Sequence, residues 1–225
     1  MRRILFGLAA IALLAVSAPA RAGTWAEVGD AGESVATAQI TIGSGSLDSI
    51  KGHLFAFTDM YCIRILHDGT AFSATTEPNT LAQSQGGTLD PMLMLFDKNG
   101  VGIVGNDDIS NGGNGPFNNN STITATLNAG TYLLAISGYH RTAFDSSNAE
   151  IFPGMTGPGL FPGTGATLDH FANNIDQGNT TGAYQIDLHG ASFCVTPEPA
   201  TLTMMGLGGL SMLGYGWKRR KVSVV

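Results

Sequence analysis

The sequence predicts an all-β body set between two apolar terminal segments, and three observations predict it. Apolar and β-prone runs recur at short spacing, separated by clusters of Gly, Asn and Asp that favour hairpins. The chain of 225 residues holds 31 glycines and only 12% charged residues, the balance of a turn-rich exported β-protein and unlike that of a helical enzyme. Each end carries an apolar run next to a basic group, and neither run has the alternation of a strand.

The N-terminal segment, residues 1–22, reads as a signal peptide. Arg2 and Arg3 give a positive start, residues 4–16 are an apolar run, and Ala20-Arg21-Ala22 places small residues at the cleavage positions. The mature chain is expected to begin near Gly23, in an oxidising compartment. A first strand is predicted over 36–42 and an aromatic-rich, half-buried strand over 47–57. Strands over 61–66 and 70–75 follow, joined by a turn at His67-Asp68-Gly69, and a polar, proline-containing loop covers 77–87.

The stretch from Thr88 to Tyr139 organises the rest. Met92 to Phe96 is apolar without a break, which suits a strand buried on both faces. Asp97-Lys98-Asn99-Gly100 supplies a tight turn into a strand over 101–105. Residues 122–127 alternate with a period of two, Asn128-Ala129-Gly130 turns the chain, and residues 131–137 form a further strand beside it. Gly100-x-Gly102-x-x-Gly105 fits a dinucleotide fingerprint only formally, because no helix follows; these read as hairpin glycines.

At these residues the chain resembles the bacterial pre-peptidase C-terminal (PPC-like) domain. The carriers are Asp90-x-x-Leu93-x-Leu95-Phe96-Asp97-x-x-Gly100, then Asn106-Asp107-Asp108, then Leu127-x-Ala129-Gly130-Thr131-Tyr132 and Ile136-Ser137-Gly138-Tyr139. Upstream, Asp59-Met60-Tyr61 matches a family strand that opens with Asp and an aromatic; downstream, residues 183–188 match the closing strand. The resemblance covers roughly residues 34–193 and implies, for the domain over residues 23–193, a jelly-roll-like antiparallel β-sandwich that does no chemistry of its own. A core of about 160 residues is long enough to bury an interior without staples.

The chain departs from that family at residues 140–181, a long insertion too rich in Pro and Gly for a helix or a central strand. Its Phe144, Phe152, Phe161 and Phe171 predict an ordered flap over one sheet, with a short helical turn over 169–175. The rings either cap the sandwich or line a ligand site.

Residues 194–225 carry the most specific pattern. Pro197-Glu198-Pro199 precedes an apolar run over 200–217 and then Lys218, Arg219, Arg220 and Lys221. This resembles the PEP-CTERM sorting signal of Gram-negative bacteria. The prolines keep the motif extended, the run is near the lower limit for a transmembrane helix, and the basic cluster stays cytoplasmic. The resemblance implies an exosortase as processing partner, a precursor anchored in the inner membrane, and a product at the cell surface or in the biofilm matrix. There exopolysaccharide or another surface protein is the expected partner. A permanent anchor is the alternative.

Chemistry-bearing residues are few. The net charge of −6, with basic residues concentrated in the two terminal segments, argues against a nucleic-acid partner. There is no Gly-x-Ser-x-Gly elbow, His-Glu-x-x-His or P-loop, so no catalytic residue and no organic cofactor is expected. A secreted hydrolase of extracellular polymers, with its site under the insertion, is the alternative function. Asp90, Asp107 and Asp108 are the candidate ligands for calcium, which takes six to eight oxygens; the competing reading is that Asp and Asn here make turns. Cys62 and Cys194, the only two cysteines, either bridge the C-terminal exit to the body or stay separate, one buried as a small hydrophobe.

Overall fold

The computed structural model describes residues 23–55, 58–76, 89–111, 117–173 and 181–196, and these are strand, turn and loop with no helix among them. In chain order the strands are β1 (Gly23–Ala26), β2 (Gln39–Ile40), β3 (Leu47–Leu54), β4 (Thr58–Ile65), β5 (Thr70–Thr75) and β6 (Pro91–Asp97). They continue with β7 (Gly102–Asn106), β8 (Ser110–Asn111), β9 (Phe117–Asn118), β10 (Thr122–Leu127) and β11 (Gly130–Gly138). Last come β12 (Arg141–Phe144), β13 (Phe161–Pro162), β14 (His170–Asn173), β15 (Gly182–His189) and β16 (Ser192–Phe193).

Two sheets face each other. One runs β1-β3-β15-β5-β10 and the other β13-β7-β6-β11-β4-β16, with β2 also pairing β4. The period of two along β4, β6 and β11 assigns each side chain to a layer. Tyr61, Ile63, Ile65, Leu93, Leu95, Leu134 and Ile136 point between the sheets and meet Leu47, Ile50, Phe72, Ile123, Tyr184 and Ile186 from the opposite one. The intervening Met60, Cys62, Met92, Met94, Phe96, Leu133 and Ala135 point the other way, into a second core.

That second core is closed by the insertion, through Ala143, Ile151, Phe152, Met155, Leu168 and Phe171. Phe96 is its centre, meeting Phe152 edge-on at 5.4 Å and Phe171 at 6.2 Å between ring centroids. Each such ring pair contributes about 0.5–1.5 kcal/mol beyond its buried area. Phe144 stacks on His170 instead, and Phe161 packs partly against the cluster. The rings therefore cap the outer face of a sheet. Gly102 and Gly105 make that approach possible: a Cβ on Gly105 would lie 2.5 Å from Met155 Sδ, and one on Gly102 3.1 Å from Phe152 Cζ. Of the three glycines read as hairpin glycines, only Gly100, with φ of 85°, serves the turn.

Four expectations are corrected. Strand β11 does not lie beside β10: β10 pairs β5 in one sheet, while β11 pairs β4 and β6 in the other. The sandwich is not purely antiparallel, because β1 pairs β3 and β2 pairs β4 in parallel. A parallel neighbour needs a long crossover, and the segment between β1 and β3 supplies one by crossing to the other sheet, where it forms β2. The strand expected over 36–42 shrinks to Gln39–Ile40 because a turn takes its start: Ala38 N–H donates to Ser34 O at 2.9 Å, and the hydroxyls of Ser34 and Thr37 lie 2.8 Å apart. The helical turn expected over 169–175 is strand β14 where described. It pairs β12 from Arg141↔Asn173 to Phe144↔His170, and the free edge of β12 overrides a weak local preference. The signal helix and the transmembrane helix fall on residues outside the described ones.

The C-terminal exit is fixed. β16 adds to β4, and Cys194 forms a disulfide with Cys62 across a separation of 132 residues, the Cα atoms 5.6 Å apart. Thr41 sits between them, its hydroxyl donating to Cys62 O at 2.7 Å and accepting from Cys194 N–H at 2.9 Å. Closing a loop of this size contributes about 5 kcal/mol in the chain-entropy picture.

Candidate metal centre

The β6–β7 hairpin brings three carboxylates together. Its antiparallel register sets Leu93 opposite Asn106, so Asp90, just before β6, and Asp107 and Asp108, just after β7, arrive at one end. Each can present an oxygen such that all three lie within 4.8 Å of one another. Asp97 and Asn99 sit at the other end, in the turn, where Asp97 Oδ1 accepts the N–H groups of Asn99 at 2.8 Å and Val101 at 2.9 Å. The turn-making reading thus holds for Asp97, and the structure separates it from the acidic group.

Asp107 is fully buried, and neither of its oxygens has a partner of hydrogen-bond geometry. Asp108 is 7% exposed and its Oδ1 is likewise without one. Asp90 is half-buried and accepts from Asn119 Nδ2 at 2.8 Å. Burial, then the charges of Asp108 and Asp90, push the Asp107 carboxyl up to about 8, with only a weak downward pull from the Gly157 amide. Burial likewise raises Asp90, to about 6, against the bond from Asn119, and it raises Asp108. A buried carboxylate without donors is costly unless it takes a proton or a cation.

The surroundings are built to hold this loop. Asn106 Nδ2 donates to Asp108 O at 3.0 Å and to Gly159 O at 2.6 Å, while its Oδ1 accepts from Thr122 N–H at 2.7 Å. The hydroxyl of Ser121 lies within reach of Pro91 O at 2.5 Å, Asn106 O at 3.0 Å and Asp107 O. Asp108 N–H donates to Gly157 O at 3.4 Å, so the insertion lies over the group. Oxygen ligands that are hard, anionic and held by backbone fit calcium better than a softer metal, which would draw on His or Cys. Sequence reasoning singled out these three residues but missed a second acidic group, Glu27, Asp30 and Asp59.

Residues 195–221 match the PEP-CTERM protein-sorting motif. The match takes in Pro197, Glu198, Pro199, Lys218, Arg219, Arg220 and Lys221, which lie outside the described residues, as does the expected helix over 200–217. Among the described residues no helix is long and apolar enough to cross a membrane. No curated protein matches the chain. The motif implies exosortase-dependent sorting to the cell surface from a membrane-anchored precursor.

Proposed function

We propose that this chain is an exported, non-catalytic β-sandwich module, cut from its inner-membrane anchor near Pro197-Glu198-Pro199 by an exosortase and delivered to the cell surface or its polysaccharide matrix. One observation carries the reading. The matched sorting residues begin at Val195, directly after the disulfide at Cys194 that pins the chain exit. The described residues before that point form a two-core sandwich, a self-contained cargo, and cleavage beyond it would leave every described strand intact. The PPC-like resemblance supports a body that accompanies other components and performs no reaction.

Within the module, Asp90, Asp107 and Asp108 are proposed as a structural calcium site. Support comes from the two unpartnered oxygens of the buried Asp107. A general acid or base must touch its substrate, and a carboxylate with no exposed surface cannot reach a polymer. The space under the insertion, where a hydrolase site was the alternative, is filled by Phe152, Phe171 and Phe96. The outer face of the five-stranded sheet is the proposed contact surface for polysaccharide. It presents a shallow groove lined by Ala71, Ser73, Thr124, Thr126 and His189, whose hydroxyls and ring suit sugar hydrogen bonds.

Intact-mass measurement of the protein recovered from the cell surface tests the sorting step. A mature species lacking residues 202–225, and absent when the exosortase is deleted, is expected. Mature protein that keeps those residues would make the segment a permanent anchor.

A further inference from the structure

A second acidic group lies in a different part of the fold, where the loop after β1 meets the start of β4. Glu27, Asp30 and Asp59 can each present a carboxylate oxygen with all three within 4.8 Å of one another. The loop is held from both sides: Glu27 N–H donates to Lys51 O at 2.8 Å, Met60 N–H donates to Gly32 O at 3.0 Å, and Ala31 is buried in the first core. Asp30 is thereby presented from a fixed loop while remaining exposed.

Asp59 is the independent observation. It shares the inward face of β4 with Tyr61 and is 1% exposed. Tyr184 donates its hydroxyl proton to Asp59 Oδ2 at 2.6 Å, and since that proton is then committed, Tyr61 donates to Tyr184 Oη at 2.5 Å. The relay ends on Asp59 as acceptor and leaves Oδ1 buried with no partner. Glu27 repeats the pattern: Oε2 accepts His53 N–H at 2.8 Å, and the buried Oε1 has no partner of hydrogen-bond geometry, with the Ala31 amide also favouring the charged form. Each carboxylate is clamped by one oxygen while the other stays available. Gly52 admits the arrangement, since a Cβ there would lie 2.6 Å from Glu27 Oε2. The neighbouring charges that act on Asp59 are those of Glu27 and Asp30, both of its own sign.

We infer that Glu27, Asp30 and Asp59 form a second cation site, for a hard divalent ion of the calcium class, which fastens the N-terminal loop to the mouth of the sandwich. Three carboxylates supply the charge such an ion requires, with loop carbonyls and water to complete its shell. The site shares no residue with the Asp107 group, so the two load independently.

The test uses the full-length chain, purified in detergent, stripped with chelator and held at pH 8. Calcium binding is counted by equilibrium dialysis, and tyrosine-excited terbium emission is compared between variants, because Tyr184 stands beside this site and Tyr139 near the Asp107 group. Asp30→Asn, on an exposed loop and outside the packed core, weakens one class of site at least tenfold and removes the part of the tyrosine-excited emission that D107N keeps. The E27Q/D30N double variant loses one bound ion relative to wild type, and D107N leaves that ion in place. An E27Q/D30N protein, or D30N alone should the double variant not fold, that binds calcium in the same number and with the same affinity as wild type overturns the inference. So does a wild type whose only bound ion disappears in D107N. Loss of an ion in D30N with none lost in D107N would uphold this site and remove the Asp107 one.

Discussion

The two ends of the β6–β7 hairpin carry the same residue types and treat them in opposite ways. At the turn, Asp97 accepts two backbone N–H groups through Oδ1 and stays at the surface edge, where its charge organises the loop. At the open end, Asp107 is buried with both oxygens unpartnered beside two more carboxylates. Asp145 repeats the first pattern: its Oδ1 accepts from Ser147 and Ala149, and those bonds hold its carboxyl below the usual range. An acidic residue in a Gly- and Asn-rich loop is therefore read by its donors. Where the backbone supplies N–H groups the carboxylate is a turn device; where burial supplies none, a proton or a metal ion must take their place.

The largest effect is expected from opening the buried end. Phe152→Ala removes a fully buried ring that packs on Phe96 and should cost about 3–5 kcal/mol, measured by urea unfolding. Because residues 157–159 of the same insertion lie over the Asp107 group, calcium affinity should fall as well. A variant that loses stability but binds calcium as before would separate the second core from the site.

Next in size is the pair Asp107→Asn and Asp97→Ala. With calcium at about a hundredfold above its dissociation constant, the ion adds about 2.7 kcal/mol to wild type, and D107N should lose that increment while keeping its fold. D97A strands two N–H groups and should cost about 1–2 kcal/mol, equally with calcium and with chelator. Equal calcium responses in the two variants would erase the distinction between the ends.

The pH slope of the chelated protein sharpens the comparison from another side. Asp107 at about 8, Asp59 at about 7 and Asp90 at about 6 all lie above the unfolded carboxylate value. The folded state then holds protons that the unfolded state has released. Stability is full below about pH 4 and is lost as pH rises through each folded value, by up to about 1.4 kcal/mol per pH unit for each proton. Unfolding free energies at pH 5, 6.5 and 8 should therefore fall in that order. Calcium, which favours the charged carboxylates, should flatten the trend.

Much of this was legible in the residues and some was not, for identifiable reasons. The unbroken run from Met92 to Phe96 announced a strand buried on both faces, and β6 is one. The phenylalanines of residues 140–181 announced an ordered flap, and Phe152 and Phe171 close the second core. Local sequence could not reveal the parallel pairings of β1 and β2, which depend on a crossover between sheets, nor strand β14, whose partner lies across the insertion. The Asp90, Asp107 and Asp108 group followed from hairpin register. Glu27, Asp30 and Asp59 did not, because their meeting depends on where a loop lands against a strand distant in sequence.

A thermal melt of the stripped wild-type chain at pH 8, with millimolar calcium and then with chelator, bears most directly on the buried carboxylates. A higher melting temperature in calcium, reduced in Asp107→Asn and unchanged in magnitude in Asp97→Ala, is expected. Identical melting temperatures in calcium and in chelator would show that protons alone satisfy these residues and that no ion belongs there.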